Sequence, residues 1–324
     1  MRKVLIYGTL GPACGDPETL KAMFREGMNG IRLNLSHSTL EEAADWIDAY
    51  QNAARECGRS PLLLIDMQGP ELRIGDLPSP IRLEDGNLVE AGAIPFPDEV
   101  RERLSDGQEL LLDDGKILLQ RENGRLRVLR GGILESRKSV SLPGCTIPSP
   151  ALTEADRHNL RRAKDFGVTA VMQPFVRGRD DLLAVRRALN AEGGQQIRLF
   201  AKVENAEGLM KLDELIPYCD EIVVARGDLG NAIPLWELPA AQKRIAAVCL
   251  EKGRDFMVVT QMLDSMTHRP VPTRAEVSDV FNAVLDGASS VMLTGETAAG
   301  DYPALAIRYL ARTVREAEAY LRDR

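Results

Sequence analysis

IRLFAKVENAEGLMKLDELIPYCDEIVVARGDL, Ile197–Leu229, is the stretch on which the fold turns. Ile197–Val203 is a short, largely apolar run of the kind that forms a strand covered on both faces. Ala206–Tyr218 carries its apolar residues at helical spacing. Glu221–Ala225 is again a buried strand. A strand, a helix and a second strand in this order form one unit of a parallel sheet.

The same alternation runs outward in both directions. Strands are expected at Val4–Tyr7, Gly30–Leu35, Pro61–Asp66, Thr169–Gln173, Phe256–Thr260 and Ser289–Leu293. Helices are expected after Asp16-Pro17, an N-cap followed by proline at the first helical position, and at Thr39–Cys57, Thr153–Phe166, Arg179–Ala191, Glu237–Lys252, Thr273–Asp286 and Tyr302–Leu321. Thr273 and Glu276 have the spacing of a capping box, so Glu276 reads as structural. Eight strands and eight helices predict a closed (β/α)8 TIM barrel, an α/β fold. An open doubly wound sheet is the alternative.

One interval breaks the rhythm. Residues 76–141 hold turn signals, Asp85-Gly86, Asp106-Gly107, Asp113-Asp114-Gly115 and Asn123-Gly124, between short β-like runs. Leu110–Leu112, Ile117–Gln120 and Leu126–Leu129 read as antiparallel hairpin strands. The expected organisation is a barrel over 1–75 and 142–324, with a small β-rich lid domain, 76–141, inserted after the third strand. Insertions at that end of a barrel strand border the active-site mouth, where a lid excludes water.

Composition narrows the function. The chain has 324 residues and a net charge of −7, with no concentrated basic run, which argues against nucleic acid as a partner. Cys14, Cys57, Cys145, Cys219 and Cys249 are scattered and odd in number, which reads as reduced thiols in a cytoplasmic protein. The N-terminus has too few apolar residues for a signal peptide, and no run is long enough to span a membrane.

Chemistry in such barrels sits at the C-terminal ends of the strands. Those ends are unusually polar here. Arg32, Asn34, Ser36 and His37 follow the second strand, and Asp66 ends the third. Lys202 and Glu204 end the fifth, Asp228 follows the sixth, Thr260 ends the seventh, and Thr294-Gly295-Glu296-Thr297 follows the eighth. Two carboxylates with substrate oxygens suffice for magnesium, and Glu204 and Asp228 are the candidate pair. Arg and Lys beside a metal suit phosphoryl transfer, where charge on phosphoryl oxygens must be neutralised. Arg226–Gly230, RGDLG, reads as a glycine-rich turn whose N–H groups could receive a carboxylate or phosphate. Each residue also has a structural reading. Lys202 could be a surface lysine, Glu204 a helix cap, Asp228 a turn former, Thr260 a core residue and His37 a polar loop residue. The coincidence at so many strand ends favours a site.

These residues carry a close resemblance to the pyruvate kinase family. PTRAEVSDVFNAVLDGA (272–288), MLTGETA (292–298) and GDYP (300–303) match its late barrel signature. AKVEN (201–205) is similar to its catalytic lysine motif, and VARGDLG (224–230) and TQML (260–263) to its metal and substrate loops. GIRLNLSH (30–37) and DMQGPELR (66–73) match its early strands, while LDDG (112–115) and RKSVSLPG (137–144) resemble part of its lid.

The resemblance implies the glycolytic transfer of phosphate from phosphoenolpyruvate to ADP, giving pyruvate and ATP. It implies that Lys202 stabilises the transferring phosphoryl group and that Glu204 and Asp228 hold Mg2+ or Mn2+. Arg32 would clamp the phosphoryl group, with His37, Arg73 and Lys138 on the nucleotide side. Thr260 and the backbone amides of Gly227 and Asp228 would hold the substrate carboxylate. Thr260, supported by Glu296, would also belong to the relay that protonates the enolate. Asn34, Ser36, Asp66 and the Met67 carbonyl match the family's K+ site, and Glu71 matches an acid of potassium-dependent members.

Five features depart from the family pattern. Gln68 replaces a lysine, Pro174 replaces a serine before Phe175-Val176-Arg177, and Thr294 replaces a serine. The lid is shortened, and the chain is expected to lack the C-terminal regulatory domain of the family. These departures lead to the expectation of a monomer or homodimer without sugar-phosphate regulation. They also motivate two rival readings. One is a metal-dependent barrel enzyme acting on phosphoenolpyruvate, oxaloacetate or the pyruvate enolate without ADP. The other is a non-catalytic, metabolite-binding pseudoenzyme.

Overall fold

The computed structural model describes residues 3–36, 38–145, 147 and 149–323. The chain divides into two compact units. The first comprises 1–69, 151–226 and 238–324; the second comprises 70–150 and 227–237.

The first unit is a closed parallel barrel of eight strands. They are β1 (Leu5–Thr9), β2 (Gly30–Asn34), β3 (Leu62–Asp66), β4 (Val168–Gln173), β5 (Arg198–Val203), β6 (Glu221–Ala225), β7 (Asp255–Val259) and β8 (Ser290–Met292). Each pairs with the next, and β8 pairs with β1 through Leu5 and Ser290. Closure excludes the open sheet.

Side chains alternate in and out along a strand. The inward set is Tyr7, Leu64, Ala170, Met172, Phe200, Val223, Ala225, Met257, Val259 and Met292, which pack into one apolar cluster. Counting two residues further along the same inward rows reaches Asp66 from Leu64 and Lys202 from Phe200. Counting two residues back reaches Arg198 from Phe200, Glu221 from Val223 and Ser290 from Met292. The apolar filling therefore has a layer of polar and charged side chains at each end.

The helices differ from expectation in three places. The helix expected from Thr39 begins at Ala44, because Thr39 and Glu42 close a turn of their own: Glu42 Oε2 accepts from Thr39 N at 2.8 Å and Thr39 Oγ1 accepts from Glu42 N at 3.2 Å. The helix expected over Ala206–Tyr218 is broken into Ala206–Met210, Leu212–Leu215 and a 3-10 turn, Ile216–Tyr218, that contains Pro217. Arg226–Gly230 is not a turn but part of the helix Arg226–Ala232. The capping box at Thr273 and Glu276 is present.

The second unit is β-rich. A five-stranded sheet contains the antiparallel pairs Glu109–Leu112 with Ile117–Glu122 and Ile117–Glu122 with Arg125–Arg130. A two-stranded sheet joins Ile81–Leu83 to Gly132–Leu134. Its own core includes Val100, Leu110, Leu112, Leu119, Leu126 and Leu134, all fully buried.

Candidate active site

Asp66 is the hub of the charged layer at the C-terminal end of the barrel. It ends β3 and is buried. Asp66 Oδ2 accepts from Arg32 Nε at 3.1 Å and from Arg32 Nη2 at 2.7 Å. Lys202 Nζ donates to both carboxylate oxygens, at 3.3 and 3.1 Å. The same ammonium lies 2.8 Å from Glu204 Oε1. Burial pushes the Asp66 carboxyl up, but Lys202 and Arg32 outweigh it and hold it below the usual carboxylate range.

These contacts settle several structural readings. Lys202 is a largely buried member of an ion array, not a surface lysine. Glu204 does not cap the following helix; Asn205 does, accepting from Gly208 N at 2.7 Å. Instead Glu204 Oε2 accepts from Phe175 N at 2.7 Å, in the loop after β4. Phe175 has a positive φ of 51°, which is uncommon for a bulky residue and typical of functional loops. Thr260 lies just past β7 with φ 75°, followed by Gln261 at 54°. It is a strained mouth residue rather than a core threonine.

Glu296 is buried and joins two mouth loops. It accepts from Leu263 N at 3.0 Å and from Thr294 N at 2.7 Å. Asn34 and Asp66 are register partners on β2 and β3. Asn34 Oδ1 accepts from Ser36 N at 3.2 Å. Met67 follows directly, with its N–H bonded to Met172 O at 3.2 Å.

The barrel thus brings Arg32, Asp66, Lys202 and Glu204 into contact and sets Asn34, Ser36, Met67, Thr260 and Glu296 at strand ends around the same opening. Gly227, Asp228, Arg73 and Lys138 belong to the second unit. There Arg73 Nη2 bonds Glu71 at 2.5 Å, and Lys138 Nζ pairs with Asp113 at 3.0 Å. Asp113 raises the Lys138 pKa above its ordinary value by this hydrogen bond. His37 lies outside the described residues.

Sequence reasoning missed three contributors. Phe175 acts through its backbone N–H, which no side-chain motif reveals. Asp156 caps the helix Glu154–Arg162 together with Thr153 and also accepts from Gln68 N at 2.9 Å and Gly69 N at 3.1 Å, pinning the loop after β3. A cavity of about 720 Å3 opens beside Arg32, lined by Thr9, Gly11, Asn34, Trp46 and Thr294 among others. The capping spacing Thr153–Asp156 was the one available signal.

Comparison with known proteins agrees with this geometry. Residues 1–307 match the family model for the pyruvate kinase barrel domain. The chain is 37% identical over 342 residues to pyruvate kinase of Geobacillus stearothermophilus, covering 100% of this chain and 58% of the relative. It is 40% identical over 347 residues to pyruvate kinase PKLR of Homo sapiens, covering 98% and 60%. It is 38% identical over 346 residues to pyruvate kinase 1 of Saccharomyces cerevisiae, covering 99% and 69%. The chain therefore spans 58% of the length of the Geobacillus relative and 60% of the human one. A family match across nearly the whole barrel, on residues that converge at its mouth, has one reading: the chain belongs to the pyruvate kinase family.

Proposed function

We propose that the chain transfers the phosphoryl group of phosphoenolpyruvate to ADP, forming pyruvate and ATP. The observation that carries this reading is the buried array of Arg32, Asp66, Lys202 and Glu204. Two cations share the Asp66 carboxylate in a largely buried array, where an incoming phosphoryl group meets guanidinium and ammonium donors already oriented. Arg32 is suited to clamp the phosphoryl oxygens, and Lys202 to neutralise charge as the group transfers. Asp66 orients both cations.

The donor set suits a divalent cation. Glu204 offers a buried, hard carboxylate oxygen, and no group of three His, Cys, Asp or Glu side chains arranged to hold a metal occurs among the described residues. Glu204 and Asp228 would hold Mg2+ or Mn2+, with substrate oxygens completing the shell, and the ion would supply positive charge to the phosphoryl and enolate oxygens. Asn34, Ser36, Asp66 and the Met67 carbonyl fit K+, which is held by oxygens alone. Thr260, with the amides of Gly227 and Asp228, would bind the substrate carboxylate and pass the proton that turns the enolate into pyruvate. Glu296 fixes the loop that carries Thr260. The cavity beside Arg32 is large enough for a nucleotide, and His37, Arg73 and Lys138 are the residues proposed to serve ADP.

Among the described residues no helix is long and apolar enough to cross a membrane. All five cysteines are free thiols, which supports a cytoplasmic enzyme.

The test is ATP formation from phosphoenolpyruvate and ADP with Mg2+, with and without K+. Lys202→Met should lower kcat by on the order of 10²- to 10³-fold while Mn2+ binding, read by water proton relaxation, persists. Full turnover by the variant would reject the role of Lys202. Pyruvate enolisation with no ADP-dependent turnover in the parent protein would favour the enzyme that works without ADP.

A further inference from the structure

We propose that Arg226 and Asp279 form a positioning pair that holds Thr260 in its left-handed backbone conformation and so aims its hydroxyl into the barrel mouth. The inference rests on the reading that Thr260 handles the enolate proton.

Thr260 and Gln261 are consecutive non-glycine residues at φ 75° and 54°. A β-branched residue in this region is strained, by roughly 1–3 kcal/mol, and relaxes unless its surroundings hold it there. Arg226, directly after β6, supplies that hold. Its Nη2 donates to the Thr260 carbonyl at 2.7 Å and its Nε at 3.2 Å, with a further contact to the Val259 carbonyl at 3.3 Å. Nη2 also lies 3.1 Å from Met262 Sδ. The remaining edge of the guanidinium faces Asp279, with Nη1 at 2.8 Å from Oδ1 and 2.6 Å from Oδ2.

Asp279 sits on the helix Arg274–Leu285, which is itself tied to the loop after β7. Glu276 accepts from Ser265 N at 2.7 Å and from Ser265 Oγ at 2.6 Å. The loop from Thr260 to Ser265 is therefore fastened at three places: Arg226 on its first carbonyl, Glu296 on Leu263 and Glu276 on Ser265. The first fastening acts on the residue that carries the reacting hydroxyl. An arginine fits the task because its planar fork bonds the carbonyl along one edge and a carboxylate along another. Asp279 fixes the fork, the fork fixes the carbonyl, and the carbonyl fixes the direction of the threonine side chain. Arg226 and Asp279 need not touch substrate, so they are positioning residues.

The experiment compares Asp279→Ala, Asp279→Asn and Arg226→Lys with the parent protein in the full chain. Three quantities are read: kcat and KM for phosphoenolpyruvate with ADP, exchange of pyruvate methyl protons with D2O in the presence of Mg2+, K+ and ATP, and φ at Thr260 in crystals. Asp279→Ala should lower kcat and exchange together by about 10- to 100-fold, with KM within threefold and Thr260 relaxed to negative φ. Asp279→Asn, which keeps the shape, should lose less. Arg308→Ala, which breaks a remote pair with Glu26, should change neither rate. A positive φ at Thr260 with unchanged exchange in Asp279→Ala and Arg226→Lys would overturn the pair's role. If Thr260→Ala exchanges protons as fast as the parent, the proton-relay reading falls instead, and the φ values still decide whether the pair holds the loop.

Discussion

Asp66 and Glu221 are both carboxylates with 2% exposure, at opposite ends of the same barrel, yet their acidities move in opposite directions. At the C-terminal mouth, Lys202 and Arg32 overcome the burial of Asp66 and lower its pKa. At the other end, burial dominates and raises the pKa of Glu221. Its helpers are weaker: hydroxyls of Ser290 and Ser289, and a single Arg198 at 3.1 Å that also faces Asp255. Equal burial therefore does not make equal sites. The mouth sets two cations against Asp66, whereas at the far end one arginine and two hydroxyls face Glu221.

The largest effect should come from breaking the mouth. Asp66→Asn removes the anion that Arg32 and Lys202 share, and should cost roughly 3–5 kcal/mol of stability at neutral pH, as for other broken buried pairs. Because the Asp66 pKa is lowered on folding, its contribution is present above its ordinary 3.8 and lost as pH falls through the folded value. The deficit of the variant, followed by thermal denaturation, should shrink in acid. A melting temperature equal to the parent's at pH 7 would erase the contrast between the two ends.

A second comparison uses glycines. Gly69, after β3 at the mouth, has φ 63°, and an added Cβ would collide with Pro174 Cγ. Gly253, in the turn before β7 at the far end, has φ 62° with no heavy atom of the described residues within 4 Å of that position. Gly253→Ala should cost about 1 kcal/mol from backbone strain alone, and Gly69→Ala roughly 1–3 kcal/mol more. Placing serine at 174 should recover part of the excess. Equal losses in chemical denaturation would show that Pro174 gives way freely.

The smallest effect belongs to Glu221→Gln. A carboxyl whose pKa is raised on folding contributes most below its ordinary 4.5, and that contribution is lost as pH rises through the folded value. The variant should differ from the parent by less than about 1 kcal/mol at pH 7, keep its kcat within twofold, and flatten the dependence of melting temperature on pH above 4.5. A deficit that grows with pH would mean that Glu221 is held as an anion, like Asp66.

The architecture was readable because parallel strands buried on both faces are short apolar runs, and Glu221–Ala225 appears in the structure with the expected bounds. Helix bounds were less legible where a polar turn such as Thr39–Glu42 competes with helix, or where Pro217 interrupts it. At the site, the residue types at the strand ends could be read, but not their bonding. Asp66 and Lys202 are 136 residues apart in sequence, and only barrel closure and inward register make them partners. The positive φ of Thr260, the amide of Phe175 and the dual use of Asp156 are properties of backbone geometry, on which side-chain patterns are silent.

A ring of strands has no first or last member to fray. Loosening β3 would strip hydrogen bonds from β2 and β4 together, so the carbonyls and amides beneath Asp66 open only when the whole ring does. The charged array is in this sense welded to the most durable part of the chain. The loop from Thr260 to Ser265 hangs from it by the side-chain ties of Arg226, Glu296 and Glu276.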